Sequence, residues 1–429
     1  MALAQRMIEG GMDAANIHLF EADSKVGGLC HSKTVDGFTY DVSGGHILFS
    51  KDKETMDWMK TCAGGEQAFA TRNRNTKIRF EDRWVHYPFE NGLGDLPDKA
   101  KFECLKGYVQ AWHERKACGS PAPADFKAWI TWRFGSGIAE HFMDPYNEKI
   151  WKRPLEQITS GWVAGRVPDA PIDDVLRAAL GTRTEGYTHQ SIFYYPKKGG
   201  FQAITDGFGA LLSERIRLNT PVTSLVRNGE GWKVNGEEFD TVVNTISMNL
   251  LPKLVKGMDD GVAEAMTGLP YNSIQCYLVA LDREKHPDLS WIYLPHHSQG
   301  PANRATYMSN YSEGNAPEGK TSFLFEITIA GGQGGLGKDV EEDLLRGVEQ
   351  AGLLKRDEIL FTDHTFCKYA YIVYEHALEK RRKLCLDWCE ANGIDALGRF
   401  GHYDYFNSDQ CTIAATAMSK RLLERAARG

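Results

Sequence analysis

Hydrophobic and polar positions predict a helix followed by a short buried strand at the start of the chain. Residues 1–10 (MALAQRMIEG) carry apolar side chains at helical intervals, and residues 17–20 (IHLF) form an apolar run that ends at Glu21. In a dinucleotide-binding fold, an acid after the second strand accepts hydrogen bonds from ribose hydroxyls. We therefore predict that Glu21 binds a ribose. We also expect that the first strand and the glycine-rich turn of such a unit are missing before residue 1.

The same patterns divide the rest of the chain into strand-rich and helix-rich stretches. Short extended segments around Gly37 and a hairpin over 76–80 and 83–87 precede a helical, aromatic region from 98 to 142. Strands are predicted at 216–218, 224–226, 241–247, 271–281, 291–294 and 322–329, and helices at 338–352, 376–391 and 409–427. The strands from 271 to 329 predict an antiparallel sheet.

Composition and charge narrow the class of protein. The chain has 429 residues, is 42% hydrophobic and carries a formal net charge of −7, which favours two or three globular domains and argues against a nucleic-acid partner. It has no apolar run of about 20 residues and no signal peptide, so we expect no membrane span and a cytoplasmic protein. The nine cysteines include no CxxC pair. Reduced thiols are therefore favoured, and no metal is expected, including at Cys385 and Cys389.

One glycine-rich segment offers an alternative nucleotide site. Residues 332–337 (GQGGLG) match the G-x-G-x-x-G pattern between a strand and a helix, and Asp363 follows the next strand. However, the preceding strand belongs to the predicted antiparallel region, and the helix starts with several acids, which disfavour a pyrophosphate. We interpret the segment as a surface turn.

Three sequence features resemble a known family of flavoproteins. Glu21, VGGL at 26–29 and DVSGGH at 41–46 are similar to the adenine and isoalloxazine contacts of the amine-oxidase and protoporphyrinogen-oxidase-like proteins, which bind FAD on a two-part Rossmann-type domain. The resemblance implies cofactor contacts at Gly27, Gly28, Gly44, Gly45 and His46. His46 would lie against the flavin and tune its electronics.

The segment PYNEKIWKRPLEQITSGWVAGRVP at 145–168 resembles UDP-galactopyranose mutases more specifically. By that resemblance, Tyr146 and Trp151 flank the nucleotide, Trp151 stacks on it, and Arg166 holds a phosphate. Weaker matches imply a second phosphate-binding arginine at Arg304 and a substrate tyrosine at Tyr371. His46, Arg166 and Arg304 are the residues expected to carry catalysis.

The segment GRFGHYDYFNSDQ at 398–410 resembles the last motif of the mutases. The implied roles are a contact between Arg399 and the FAD pyrophosphate, a contact between Tyr405 and the substrate phosphates, and further cofactor contacts at Asn407 and Asp409. This chain departs from the mutase pattern in having Asn407 in place of a carboxylate, Phe406 in place of a tyrosine, and Asn272 in place of an arginine. The sugar accepted could therefore differ from galactopyranose.

The resemblance implies a nucleotide-sugar mutase in which reduced FAD attacks the anomeric carbon through N5, with NAD(P)H as an external reductant. A flavin oxidoreductase of the amine-oxidase type and a non-catalytic relative without FAD stay open as alternatives. Because the pyrophosphate turn would be missing, we expect this chain to bind FAD weakly or not at all. A homodimer is compatible with the sequence.

The predicted architecture is an α/β fold with three parts. A discontinuous FAD-binding domain covers 1–75, 190–265 and 355–429, a helical insert covers 95–185, and an antiparallel-sheet substrate domain covers 76–94 and 266–354.

Several site residues have a purely structural alternative. Tyr146, Trp151 and Tyr371 could be core aromatics, and Gly44 and Gly45 could form a tight turn. His46 could be a core histidine, and Arg166 and Arg304 could be surface or ion-pair arginines. The ammonium groups of Lys149 and Lys152 are expected to solvate a helix end.

Overall fold

The computed structural model describes residues 1–163, 167, 170–184, 191–284 and 288–427. Its α-helices are α1 Ala2–Glu9, α2 Lys53–Cys62, α3 Asp98–Lys116, α4 Phe126–Ile138, α5 Asp144–Trp151, α6 Ile172–Ala179, α7 Gln202–Ala210, α8 Leu251–Leu254, α9 Asp260–Thr267, α10 Met308–Tyr311, α11 Lys338–Gln350, α12 Leu378–Ala391 and α13 Ser408–Ala426. The predicted helix at the start of the chain and the three predicted helices near its end are all present, within a few residues of their expected limits.

The β-strands are β1 Leu19–Phe20, β2 Ser32–Val35, β3 Phe38–Asp41, β4 Phe69–Asn73, β5 Thr76–Phe80, β6 Arg83–His86, β7 Ile192–Pro196, β8 Ile216–Arg217, β9 Leu225–Asn228, β10 Gly231–Val234, β11 Glu237–Phe239, β12 Val242–Asn244, β13 Tyr271–Leu281, β14 Trp291–Tyr293, β15 Arg304–Tyr307, β16 Thr321–Ala330, β17 Ile359–Ile372 and β18 Ile394–Ala396. The predicted hairpin is β5–β6. The chain is therefore a mixed α/β protein, as predicted.

A seven-stranded sheet dominates the middle of the molecule. Its strand order is β17-β13-β16-β15-β14-β5-β6, and neighbouring strands are antiparallel except for the parallel pair β14–β5, which differs from the purely antiparallel prediction. Strand β17 pairs along almost the whole of β13. The sheet thus continues past residue 354, the limit predicted for this region, because β13 is buried and requires a hydrogen-bonded strand on each side.

Two short parallel strand pairs lie apart from this sheet. Strand β1 pairs with β8, and β12 pairs with β18. Helix α1 packs on α13 beside them. The carboxyl end of β1 delivers Glu21, so these small parallel elements place the predicted nucleotide-binding acid.

The helical insert packs tightly through α3 and α4. Gly135 has a φ of +79°, and a Cβ at this position would overlap the carbonyl of Gly107 on α3. Glycine is therefore required at this contact because the two backbones touch.

No helix in the described ranges has both the length and the apolar character needed to cross a bilayer.

The alternative nucleotide site is an exposed turn between β16 and α11. Asp363 lies within β17, where its Oδ2 pairs with Lys33 Nζ at 2.6 Å and accepts a hydrogen bond from the Tyr40 hydroxyl at 2.7 Å. The carboxylate is therefore committed to ordinary structural contacts. Cys385 and Cys389 are almost completely buried on α12.

Candidate functional site

One cavity of about 2510 Å³ collects most of the predicted site residues. It is lined by both predicted cofactor contacts and predicted substrate contacts, namely Glu21, Gly27, Gly28, Gly44, Gly45, His46, Arg304, Tyr371, Arg399, Tyr405, Asn407 and Asp409. Residues from distant parts of the sequence thus meet at one site. Arg166, the predicted phosphate ligand, lies outside the described residues.

Glu21 marks one end of the cavity. Its backbone N–H donates to the Arg217 carbonyl, and its own carbonyl accepts from the Thr220 N–H, so the residue is anchored beside β8. Glu21 Oε1 accepts from the Asp23 backbone N–H at 2.9 Å. The carboxylate therefore has a fixed orientation and a second oxygen able to accept a further hydrogen bond.

Arg399 and the first turn of α13 place a cation and one acid, Asp409, on the cavity lining. Arg399 Nε donates to the Phe406 carbonyl at 2.8 Å, and its guanidinium carbon lies 4.8 Å from the centre of the Tyr405 ring. Among the described residues, no carboxylate pairs with this guanidinium. Asn407 and Gln410 cap the first turn of α13 reciprocally. An unneutralised arginine beside a helix N-terminus can bind an anionic group.

The glycine pair of the SGGH turn lies directly against a buried carboxylate. Gly44 has a φ of +104°, and a Cβ there would lie 2.9 Å from Glu326 Oε2. The Gly45 N–H donates to Glu326 Oε1 at 3.1 Å. The next residue, His46, stacks on Phe201 with ring centres 5.1 Å apart. Glycine at 44 therefore permits both the left-handed turn and the close approach of Glu326.

Arg304 completes this arrangement. It stands opposite Glu326 in the β15–β16 pair, its Nε donates to Glu326 Oε1 at 2.6 Å, and its Nη2 donates to the Gly45 carbonyl at 3.1 Å. Burial alone would lower the pKa of Arg304, but the Glu326 carboxylate outweighs it and raises that pKa. The charge of Arg304 is therefore largely neutralised by Glu326, and its contact with a phosphate stays a prediction.

Glu326 is the main site residue that the sequence reasoning missed. Its side chain is completely buried, and its Oε2 has no hydrogen-bond partner among the described residues. The sequence signal was a single acid inside the apolar strand FLFEITIA. A buried charge is retained only where a partner compensates its desolvation. An acid within an apolar strand therefore predicts a basic partner on a neighbouring strand, which here is Arg304.

Tyrosines form much of the remaining wall. Burial raises the pKa of Tyr371, and the Glu326 carboxylate raises it further. Burial also raises the pKa of Tyr146, whose ring contacts Tyr293 of the cavity wall with centres 5.0 Å apart. These hydroxyls therefore stay protonated at neutral pH and are able to donate hydrogen bonds without adding charge. Tyr146 itself lies behind Tyr293, outside the cavity lining.

The structure does not bring Trp151 to the cavity. This side chain is only 3% exposed, packs edge-on against Trp162, and donates through Nε1 to Asn147 Oδ1 at 3.2 Å. Asn272, found where the mutases have an arginine, donates to the carbonyls of Ile150 and Trp151 at 3.0 and 2.8 Å. In this conformation Trp151 is a core residue at the end of α5, whereas its predicted role was to stack on a nucleotide.

Comparisons with known proteins agree with this geometry. A family model described as flavin containing amine oxidoreductase matches residues 1–351. The fold is similar to a crystal structure of reduced UDP-galactopyranose mutase, with a TM-score of 0.89 and 26% identity, covering 99% of this chain and 93% of that one. It is also similar to a putative protoporphyrinogen oxidase from Exiguobacterium sp. 255-15, with a TM-score of 0.73 and 17% identity, covering 98% and 95% of the two chains.

Proposed function

Because this chain belongs to the flavin-containing amine oxidoreductase family, we propose that it is an FAD-dependent mutase that rearranges the sugar ring of a nucleotide sugar. The observation that carries this proposal is the similarity to reduced UDP-galactopyranose mutase over nearly the full length of both chains. The predicted cofactor and substrate residues that line one cavity support it.

The residues of the cavity fit FAD. Glu21 would bind the adenosine ribose at one end, and Arg399 with the first turn of α13 would bind the pyrophosphate. Gly44 and Gly45 line the same cavity, and their lack of side chains lets the turn pack against Glu326 and Thr306, which would hold this backbone in place beside the flavin. When bound in its reduced form, FAD supplies a nucleophilic nitrogen for the anomeric carbon of the sugar.

In this proposal, the protein's own residues bind and orient the nucleotide sugar. The departing nucleoside diphosphate is anionic, so Tyr371 and Tyr405 stabilise it with neutral O–H donors. The Arg304 guanidinium, oriented by Glu326, adds a charged donor without leaving an uncompensated cation. Catalysis by this site is therefore positioning and electrostatic stabilisation, with no net change in the oxidation state of the substrate.

A flavin oxidoreductase is the second candidate, because the matching family model is described by that activity. The two candidates differ in what happens to the flavin. A mutase returns it to its starting oxidation state in each turnover, whereas an oxidoreductase needs a second substrate to restore it.

The test begins with purified protein reconstituted with FAD. The yellow absorbance of bound flavin would establish binding, and its complete absence would favour a non-catalytic relative. The holoprotein is then reduced with dithionite and incubated with UDP-galactopyranose, and furanose product is measured by chromatography. We expect product only with reduced flavin. Flavin reduction by an amine, together with no ring-rearranged product from any nucleotide sugar, would replace the mutase with an oxidoreductase.

A further inference from the structure

Lys149 is a buried cation that the proposed reaction does not use. It lies on α5, and only 1% of the residue is exposed, which differs from the solvated helix-end position expected from the sequence. Taking an ammonium out of water is unfavourable unless other groups replace its hydration. Burial, and next the Lys152 ammonium, lower the pKa of Lys149 to about 7.

Four backbone carbonyls replace the water around this ammonium. Lys149 Nζ lies 2.9 Å from the Leu294 oxygen, 2.7 Å from that of His296, 2.8 Å from that of Gly300 and 2.9 Å from that of Ala302. All four belong to the connection between β14 and β15. An ammonium has three N–H donors and no acceptor, so its protonated form suits a pocket made only of carbonyl oxygens.

This connection lies between two residues of the cavity wall. It begins directly after Tyr293 and ends just before Arg304, and both residues line the cavity. Tyr146, one turn before Lys149 on α5, contacts the Tyr293 ring. The position of Lys149 therefore links the helical insert to the strand ends that carry the substrate-facing side chains.

We propose that Lys149 is a positioning residue, whose ammonium closes the 294–302 connection so that Arg304 and Tyr293 face the cavity correctly. The proposal rests on the proposed function only for the identity of the bound ligand. Without the ammonium, four carbonyl oxygens converge without their shared donor, and only that of His296 keeps a backbone N–H among the described residues, from Gln299 at 3.1 Å. Repulsion between the oxygens then opens the connection. Arg304 then loses its fixed approach to Glu326 and to the ligand.

The test is chemical rescue of Lys149→Ala. Propylammonium matches the atoms that this substitution removes beyond Cβ. At about pH 6, where propylamine is protonated, the melting temperature of the variant should rise with added propylammonium and reach a plateau. It should not rise with trimethylpropylammonium, a permanent cation that has no N–H. Wild type and Lys152→Asn, which removes a neighbouring lysine charge while retaining a residue suited to the left-handed φ of +53°, should show no such rise. If Lys149→Ala folds poorly, the yield of refolded protein is measured with each of the two compounds instead. A higher yield with propylammonium alone would support the positioning role, and no difference would overturn it.

UDP affinity supplies the second measurement, by titration calorimetry on the full chain. We expect Lys149→Ala to bind UDP about tenfold more weakly than wild type, propylammonium to restore binding, and Lys152→Asn to bind normally. Normal UDP binding by Lys149→Ala, or no specific rescue by propylammonium, would overturn the positioning role. Failure of wild type itself to bind UDP would instead count against the proposed function, while the melting experiment would still decide whether Lys149 organises the connection.

Discussion

The buried pair of Arg304 and Glu326 makes the sharpest prediction about stability. Replacing Arg304 with methionine retains an apolar stem but leaves a fully buried carboxylate whose Oε1 then keeps only the N–H of Gly45. Replacing Glu326 with glutamine instead leaves an arginine whose side chain is 25% exposed toward the cavity. The two single changes are therefore unequal, although they remove the same ion pair.

The expected magnitudes follow from this difference in burial. Removing one partner of a buried ion pair costs about 3–5 kcal/mol, and we expect Arg304→Met to lose about 3 kcal/mol because the cavity admits water on one side. Glu326→Gln should lose about 2 kcal/mol, the range for a charge-assisted hydrogen bond. The double variant should be no less stable than Arg304→Met, giving a coupling energy of about 2 kcal/mol.

Urea unfolding of the four proteins, followed by circular dichroism, measures these free energies. Arg356→Met is the matched control, since the Arg356–Glu342 ion pair lies on the surface with both side chains more than one third exposed. This substitution should change the free energy of unfolding much less. A double variant whose loss equals the sum of the single losses would refute the reasoning, because it would mean that the two charges do not compensate each other.

Three further predictions concern Arg399, Gly44 and Asp404. Arg399→Met should weaken FAD binding about tenfold or more, with Arg399→Lys in between; equal affinities in a flavin-fluorescence titration would exclude a contact with the pyrophosphate. Gly44→Ala should lower the free energy of unfolding by about 2 kcal/mol more than Gly398→Ala, because both have positive φ but only the Cβ at 44 meets Glu326; equal losses in urea would contradict this. For Asp404, burial would raise the pKa, but backbone and tyrosine donors and an arginine outweigh it and lower the pKa. The stability that the Asp404 carboxylate contributes is fully present above its ordinary pKa and is lost as pH falls through the lowered one. Asp404→Asn and wild type should therefore differ in stability at neutral pH, and the difference should begin to shrink only below about pH 4; an unchanged difference well below that pH would argue against this linkage.

Local sequence patterns were sufficient for the longer strands of the central sheet and for the helices at the two ends of the chain. Strand β13 is buried from Asn272 onward and is continuously apolar from Cys276 to Leu281, and α13 begins at a capping residue and continues at helical spacing, so both could be predicted closely. Strand β17 was harder to delimit, because its residues alternate between half-buried and exposed positions and include several polar side chains. Its full extent depends on pairing with β13, which no local pattern encodes.

Sequence motifs identified Gly44, Gly45 and Arg399, which line one cavity in the structure. Their contacts with a cofactor stay predictions. Glu326 and Lys149 were not recognised, because their environments come from distant segments: the carbonyls around Lys149 Nζ lie 145 to 153 residues further along the chain. Trp151 was predicted to stack on a nucleotide, whereas here it is buried against Trp162. That burial depends on how the insert packs, which no local pattern encodes.

The oxidation state of the flavin during turnover tests the central claim most directly. Holoprotein reduced under anaerobic conditions is mixed with a large excess of UDP-galactopyranose, and the flavin spectrum is recorded while product is sampled. The mutase proposal predicts many product molecules per enzyme with the flavin still reduced at the end. Oxidation of the flavin in step with product, stopping after one turnover, would contradict it and identify a redox reaction.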